Sequence, residues 1–183
     1  MTDNEKKVFG IKPAGIQTYI FLALLIVVTF IGPVSMLYSY VHNNIPLSPT
    51  LFCIIIVVFA DALMIWIGYS ARNIKYVIDK ESISIKNTLY GRTIKKSSVF
   101  AKGFTVTDLN TQSTYRPGLR TNGVGLPGFM AGWFRLKNKQ KGLLFVTDKA
   151  KVVCIPTQKY MLLISVENPV EFLQALKEMW GIE

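Results

Sequence analysis

Few side chains in this 183-residue chain are placed to do chemistry, and the most conspicuous is Asp61, the one charged residue between Leu51 and Ser70. A charged aspartate at the centre of a bilayer costs roughly 2.5 to 3.5 kcal/mol on insertion scales, so it must be protonated or hydrogen-bonded inside a helix interface. In a hairpin symmetric about the loop between the two apolar runs, Asp61 lies level with Phe30, which makes Thr29 its candidate partner. A second subunit is the other. Intramembrane carboxylates serve proton relays, but one without a charged companion in either run more often bonds helices together, at about 0.6 kcal/mol per bond.

A second group lies between Thr111 and Trp133, where five glycines and two prolines are crowded together. Glycine-rich backbone can turn several N–H groups toward one anion. Arg116, Arg120, Asn122 and Gly123 are therefore candidate contacts for a phosphate or lipid headgroup. The competing reading is a structural loop whose glycines serve positive-φ turns. No Gly-x-x-x-x-Gly-Lys run is present to support nucleotide binding. Lys137, Lys139 and Lys141 crowd one predicted hairpin, and Arg92, Lys95, Lys96 and Lys102 form another basic group. Either could give diffuse headgroup contact or be solvated surface charge.

His42 is the only histidine, and Cys53 and Cys154 lie in different predicted elements. That removes most histidine-based catalytic and metal schemes, and no CxxC spacing exists. No catalytic residue, metal ligand or cofactor is assigned. An enzyme would have to act through groups such as Arg116, Arg120 or Asp148.

The elements that position these residues are of two kinds. Ile16 to Val41 contains no charged residue and Leu51 to Ser70 only Asp61. Each is at least as long as the roughly 20 residues that cross a hydrocarbon core of about 30 Å. The expected architecture is a transmembrane hairpin with spans at about 16–41 and 50–71, behind an N-terminal tail over 1–15. The first span is longer than a signal-peptide core and lacks a small-x-small cleavage site. Gly32-Pro33 predicts a kink within it, not a break. Lys6, Lys7 and Lys12 precede the first span and Arg72, Lys75 and Lys80 follow the second, while the loop His42 to Pro49 has neither Lys nor Arg. The loop charge expects both termini to be cytoplasmic.

From Arg72 onward 18 Lys and Arg stand against 8 Asp and Glu, so this part accounts for the whole surplus of +10. A basic body held at a bilayer is attracted to anionic headgroups, at roughly 1 kcal/mol per basic residue near the surface. Nucleic acid is not expected as a partner of a domain fixed at the membrane. Alternating segments predict seven strands, at 76–79, 83–86, 92–96, 133–137, 143–147, 151–155 and 161–166, with a glycine-rich insertion at about 111–133. A final helix is marked by Asn168 as cap, Pro169 in the first turn and Glu171 near the positive end of the dipole. Phe172, Leu173, Leu176 and Met179 or Trp180 recur at helical spacing.

The run from Tyr76 to Lys86, the Arg120 to Phe134 segment and the ending from Ser165 to Phe172, behind two apolar spans, resemble the bacterial pleckstrin-homology (PH) domain membrane proteins. The Arg120 to Phe134 segment is the most distinctive of these. The resemblance implies a PH-like seven-stranded, partly open barrel capped by a C-terminal helix over 72–183, in a bacterial inner membrane with the short loop in the periplasm. It lends no reaction. In eukaryotic relatives a basic first hairpin grips an inositol lipid, but here that turn is Asp79-Lys80-Glu81-Ser82 and net negative. The leading expectation is a non-catalytic, membrane-tethered interaction module that meets the lipid bilayer, anionic headgroups, a protein partner or a second copy of itself. A subunit of a transport or channel assembly using Asp61 is the alternative, and an enzyme of unknown type the third.

Overall fold

The computed structural model describes residues 6–43, 46–100, 103–111 and 114–182. Lys102 of the expected basic group lies outside them. The chain forms two compact units, one over 16–69 and the other joining the residues before 16 to those from Ser70 onward.

The first unit is a pair of helices, α1 (Ile16–Asn43) and α2 (Leu47–Asn73), the latter running on into the second unit. At 1.5 Å per residue each is about 40 Å long, enough to cross a bilayer. Both are apolar enough as well, with a mean hydropathy of 2.6 in their most apolar stretches. Only 11% and 6% of those stretches is buried within the protein. Helices of a soluble core would be mostly covered, so their apolar surface needs a nonaqueous surrounding. α1 continues unbroken through Gly32-Pro33. Between the helices, a Cβ on Gly68 would come within 3.2 Å of Leu22, and the Thr29 hydroxyl meets Asp61. The two contacts are two turns apart on both helices, as an antiparallel pair in steady contact requires.

The second unit is two open sheets and a helix, not a closed barrel. The four-stranded antiparallel sheet runs β1 (Lys7–Gly10), β2 (Lys75–Ile78), β3 (Ser82–Lys86) and β4 (Thr93–Lys95). The six-stranded sheet has the order β5-β9-β10-β8-β7-β6, from β5 (Thr105–Thr107), β6 (Pro117–Leu126), β7 (Phe129–Leu136), β8 (Lys141–Val146), β9 (Val152–Pro156) and β10 (Met161–Ile164). Among the described residues only β10 and β8 pair in parallel. Residues 143–146, 152–155 and 161–164 are buried without alternation, so the central strands are covered on both faces.

The helix α3 (Pro169–Trp180) begins as its local sequence directs: the Asn168 side chain accepts from the Glu171 N–H, and Gly181 closes the far end at φ 61°. Phe172 and Trp180 are buried. Phe172 meets Phe9 and Tyr76 edge-on, and Trp180 Nε1 donates to the Asp79 carbonyl at 2.9 Å. The helix thus packs on the four-stranded sheet through these side chains and also contacts β9 of the six-stranded sheet. Burial pushes the Tyr76 phenol well above its ordinary pKa.

The seven expected strands are present, with three more. β1 lies in the segment read from sequence as a tail: Lys7 to Gly10 pair with Ile78 to Lys75. Its three lysines carry ion pairs, Lys6 with Asp79 (3.7 Å), Lys7 with Glu178 (3.1 Å) and Lys12 with Asp148 (2.5 Å). β6 and the first half of β7 replace the expected glycine-rich insertion, which is a long hairpin turning at Pro127-Gly128, with φ 77° at Gly128. Gly123 and Gly132 serve close approach of the two strands. A Cβ on Gly123 would lie 2.5 Å from the Ala131 carbonyl oxygen, and one on Gly132 would lie 2.6 Å from the Gly123 Cα.

Candidate functional site

The side chain around which basic groups gather is Trp133, on β7. On the neighbouring strand its partner is Leu143, so Lys141, two residues earlier, projects from the same face and reaches back diagonally. Its Nζ stands 4.2 Å from the centre of the Trp133 ring. The link between β3 and β4 supplies the second cation. There Asn87 takes φ 61°, the Gly91 N–H donates to the Thr88 carbonyl, and a Cβ on Gly91 would meet the Ile85 carbonyl at 2.7 Å. This tight turn carries Tyr90 onto the β6–β7 hairpin, where its hydroxyl is 3.4 Å from Asn122 Oδ1. It brings the Arg92 guanidinium to 4.8 Å from the Trp133 ring centre. The turn between β9 and β10 supplies Tyr160, whose ring stands edge-on to Trp133 at 5.0 Å. Thr157 holds that turn, donating to the Tyr160 carbonyl at 2.6 Å and accepting from the Tyr160 N–H at 3.1 Å.

Two hollows share the wall from Thr157 to Tyr160. One, of about 300 Å³, has Arg92, Lys95 and Lys159 around it. The other, of about 460 Å³, has Lys141 and Lys159 together with Phe100, Tyr115 and Met161. Among the described residues no Asp or Glu lines either. Among the described residues the ion pairs all belong to Lys6, Lys7 and Lys12, so none of Arg92, Lys95, Lys141 and Lys159 has a carboxylate partner. A cation over an indole face gains about 0.5 to 1 kcal/mol at an exposed site, and its charge is not neutralised. The result is a surface of four fixed or lining cations, suited to an anion.

The structure separates the other candidates from this surface. Lys137 and Lys139 sit at the exposed turn between β7 and β8, where Lys139 takes φ 66° and only its neighbour Lys141 turns toward Trp133. Lys96 donates to the Trp180 carbonyl at the end of α3. The Arg116 carbonyl accepts from the Lys137 N–H at 3.0 Å, and Arg120, exposed on β6, lies over Gly125 of its own strand. Asn122 takes part through Tyr90, and Gly123 is a strand-packing position. Asp148 is engaged by Lys12, and that bond, with a second from the Ala150 N–H, holds its carboxyl below the usual range. Trp133, Lys159 and Tyr160 were not found as site residues from sequence, and nothing local in the sequence marks them, because three distant segments create the arrangement.

In the helical unit the Thr29 hydroxyl donates to Asp61 Oδ1 at 2.9 Å and also lies 2.8 Å from the Ile26 carbonyl oxygen. Asp61 is 6% exposed, and its Oδ2 has no hydrogen-bond partner among the described residues. No group of three or more His, Cys, Asp or Glu that could hold a metal occurs among the described residues.

In comparison with known proteins, a family model for the bacterial PH domain matches residues 74–179. No curated protein and no solved structure matches the chain.

Proposed function

The chain belongs to the bacterial PH domain family, and from that footing we propose that it is a membrane-tethered, non-catalytic interaction module. Its sheet-rich unit meets anionic headgroups at the cytoplasmic face of a bacterial inner membrane, with both termini on that side. The observation that carries this reading is the set of uncompensated cations around Trp133 on a chain that also holds two membrane-length apolar helices. A basic surface tethered beside a bilayer gains affinity from anionic lipid without needing a tight site. The test is hydrogen exchange on the full chain in nanodiscs of phosphatidylcholine, with and without phosphatidylglycerol. Added phosphatidylglycerol should slow exchange across residues 90–98, 133–142 and 157–160. Equal exchange in both discs overturns headgroup contact and leaves recruitment of a protein partner to be sought by crosslinking.

A second reading, a subunit of a transport or channel assembly, draws on the unpartnered Asp61 Oδ2. It expects Asp61→Asn to alter ion or proton flux in proteoliposomes with assembly intact, and unchanged flux removes it. The Thr29–Asp61 bond favours the plainer role of joining the two helices.

A further inference from the structure

We infer, resting on the headgroup reading above, that the paired hollows beside Trp133 form one discrete site for a phosphate-bearing group, with Arg92 and Lys141 as its grips. Three features distinguish this surface from ordinary basic exposure. The first is how the cations are held. Lys6, Lys7 and Lys12 are paired with acids, which compensates their charge, and Lys96 is held by a helix carbonyl. Arg92 and Lys141 are held against an aromatic face. That fixes the position of each cation while leaving its charge uncompensated and its N–H donors available, which is preorganisation for an anion.

The second feature is the shape and composition of the space. Volumes of about 300 and 460 Å³ on either side of a shared wall are those of small-molecule sites. The Arg92 guanidinium fork at the smaller hollow and the Lys141 ammonium at the larger, both held at the Trp133 ring, offer donors that match the oxygens of a phosphate. The larger hollow adds Phe100, Tyr115 and Met161, an apolar wall for whatever carries the phosphate. The third is position. The first hairpin of the family domain is closed to anions here, since Asp79 accepts from the Lys80 N–H, pairs with Lys6 and stands beside Glu81. The site instead joins the β3–β4 link to the β7–β8 and β9–β10 turns.

The same chemistry is offered by a glycerophospholipid headgroup and by a soluble phosphate ester, and the experiment separates them. Full-length protein in phosphatidylcholine nanodiscs is titrated by calorimetry with sn-glycerol 3-phosphate. In parallel, the exchange measurement is repeated in discs with phosphatidylglycerol. The decisive variant is Trp133→Leu, which changes no charge. It should weaken binding, or reduce the lipid-induced protection, by at least about fivefold, because the cations lose their platform, and Trp133→Phe should restore part of it. Arg92→Ala/Lys141→Ala should weaken it by about tenfold or more. The control Lys86→Ala/Lys149→Ala removes the same charge from exposed positions that line neither hollow and should leave binding within about twofold. Circular dichroism confirms that each variant is folded. Titration by the soluble ester assigns the site to a free phosphate ester, and a response confined to anionic discs assigns it to lipid. If Trp133→Leu binds as the parent does, or the two double variants weaken alike, contact is diffuse and the discrete site is wrong, while the headgroup reading stands. If the parent responds to neither probe, both fall.

Discussion

Replacing Gly132 by alanine tests whether the glycine-rich run is a close-packed hairpin instead of a loop, and the structure sets the size of the effect. Gly132 has φ 107°, a region that L residues rarely adopt. A Cβ there would stand 2.6 Å from the Gly123 Cα, 2.7 Å from the Asn122 carbonyl oxygen and 3.1 Å from Tyr90 Cε2. Backbone strain of this kind costs about 1 to 3 kcal/mol. Forcing two backbones apart adds a packing cost of about 1 to 3 kcal/mol. The expected total is about 2 to 6 kcal/mol, a large part of the 5 to 15 kcal/mol that holds a typical domain. Gly125→Ala on the same hairpin is the internal comparison: its nearest neighbour would be the Arg120 side chain at 3.6 Å, an ordinary contact. Restricting the unfolded chain should make that variant neutral or more stable by up to about 1 kcal/mol. Near-ultraviolet circular dichroism of the full chain in detergent, followed through thermal unfolding, reads both. Gly132→Ala should melt at least about 8 °C below the parent and Gly125→Ala at or above it. Equal melting of the two variants would refute the hairpin reasoning, because a loop glycine would tolerate either change.

Further outcomes follow from the ion pairs, the helix pair and the buried thiol. The Asp148 carboxyl is held down by Lys12, so the stability this pair contributes is present above an unfolded pKa of about 3.9 and is lost as pH falls through the lower folded value. Lys12→Ala should therefore cost about 0.2 to 1 kcal/mol at pH 7 and progressively less below pH 4; a difference that does not shrink at pH 2 to 3 contradicts the pairing. For Thr29 and Asp61, a double-mutant cycle with Thr29→Val and Asp61→Leu should give a coupling of about 0.6 kcal/mol by unfolding in micelles, and strict additivity would show that the bond does not hold the helices. Cys154 is fully buried and its thiol is pushed up to about 11. In a Cys53→Ser background it should resist iodoacetamide at pH 8 until the protein unfolds, and rapid labelling of the native chain would place it at the surface.

The sequence by itself determined the elements whose cause is local or one-dimensional. Uninterrupted apolar length sets α1 and α2, and Asn168, Pro169 and Glu171 set the start of α3. Short apolar segments bounded by turns showed seven of the ten strands found among the described residues, and the symmetry of a hairpin named Thr29 as a candidate partner of Asp61. What the tertiary structure decided depends on partners distant along the chain. Lys7 to Gly10 are too few to read as a strand, and they become one because β2 offers its edge. Gly118, Gly123 and Gly132 read as loop residues until two strands approach so closely that a Cβ has no room. Arg92 and Lys141 looked like members of separate basic groups. They share one ring because β7, β8 and the β3–β4 link converge on Trp133, and a cation–π contact depends on distance in space, which composition does not encode.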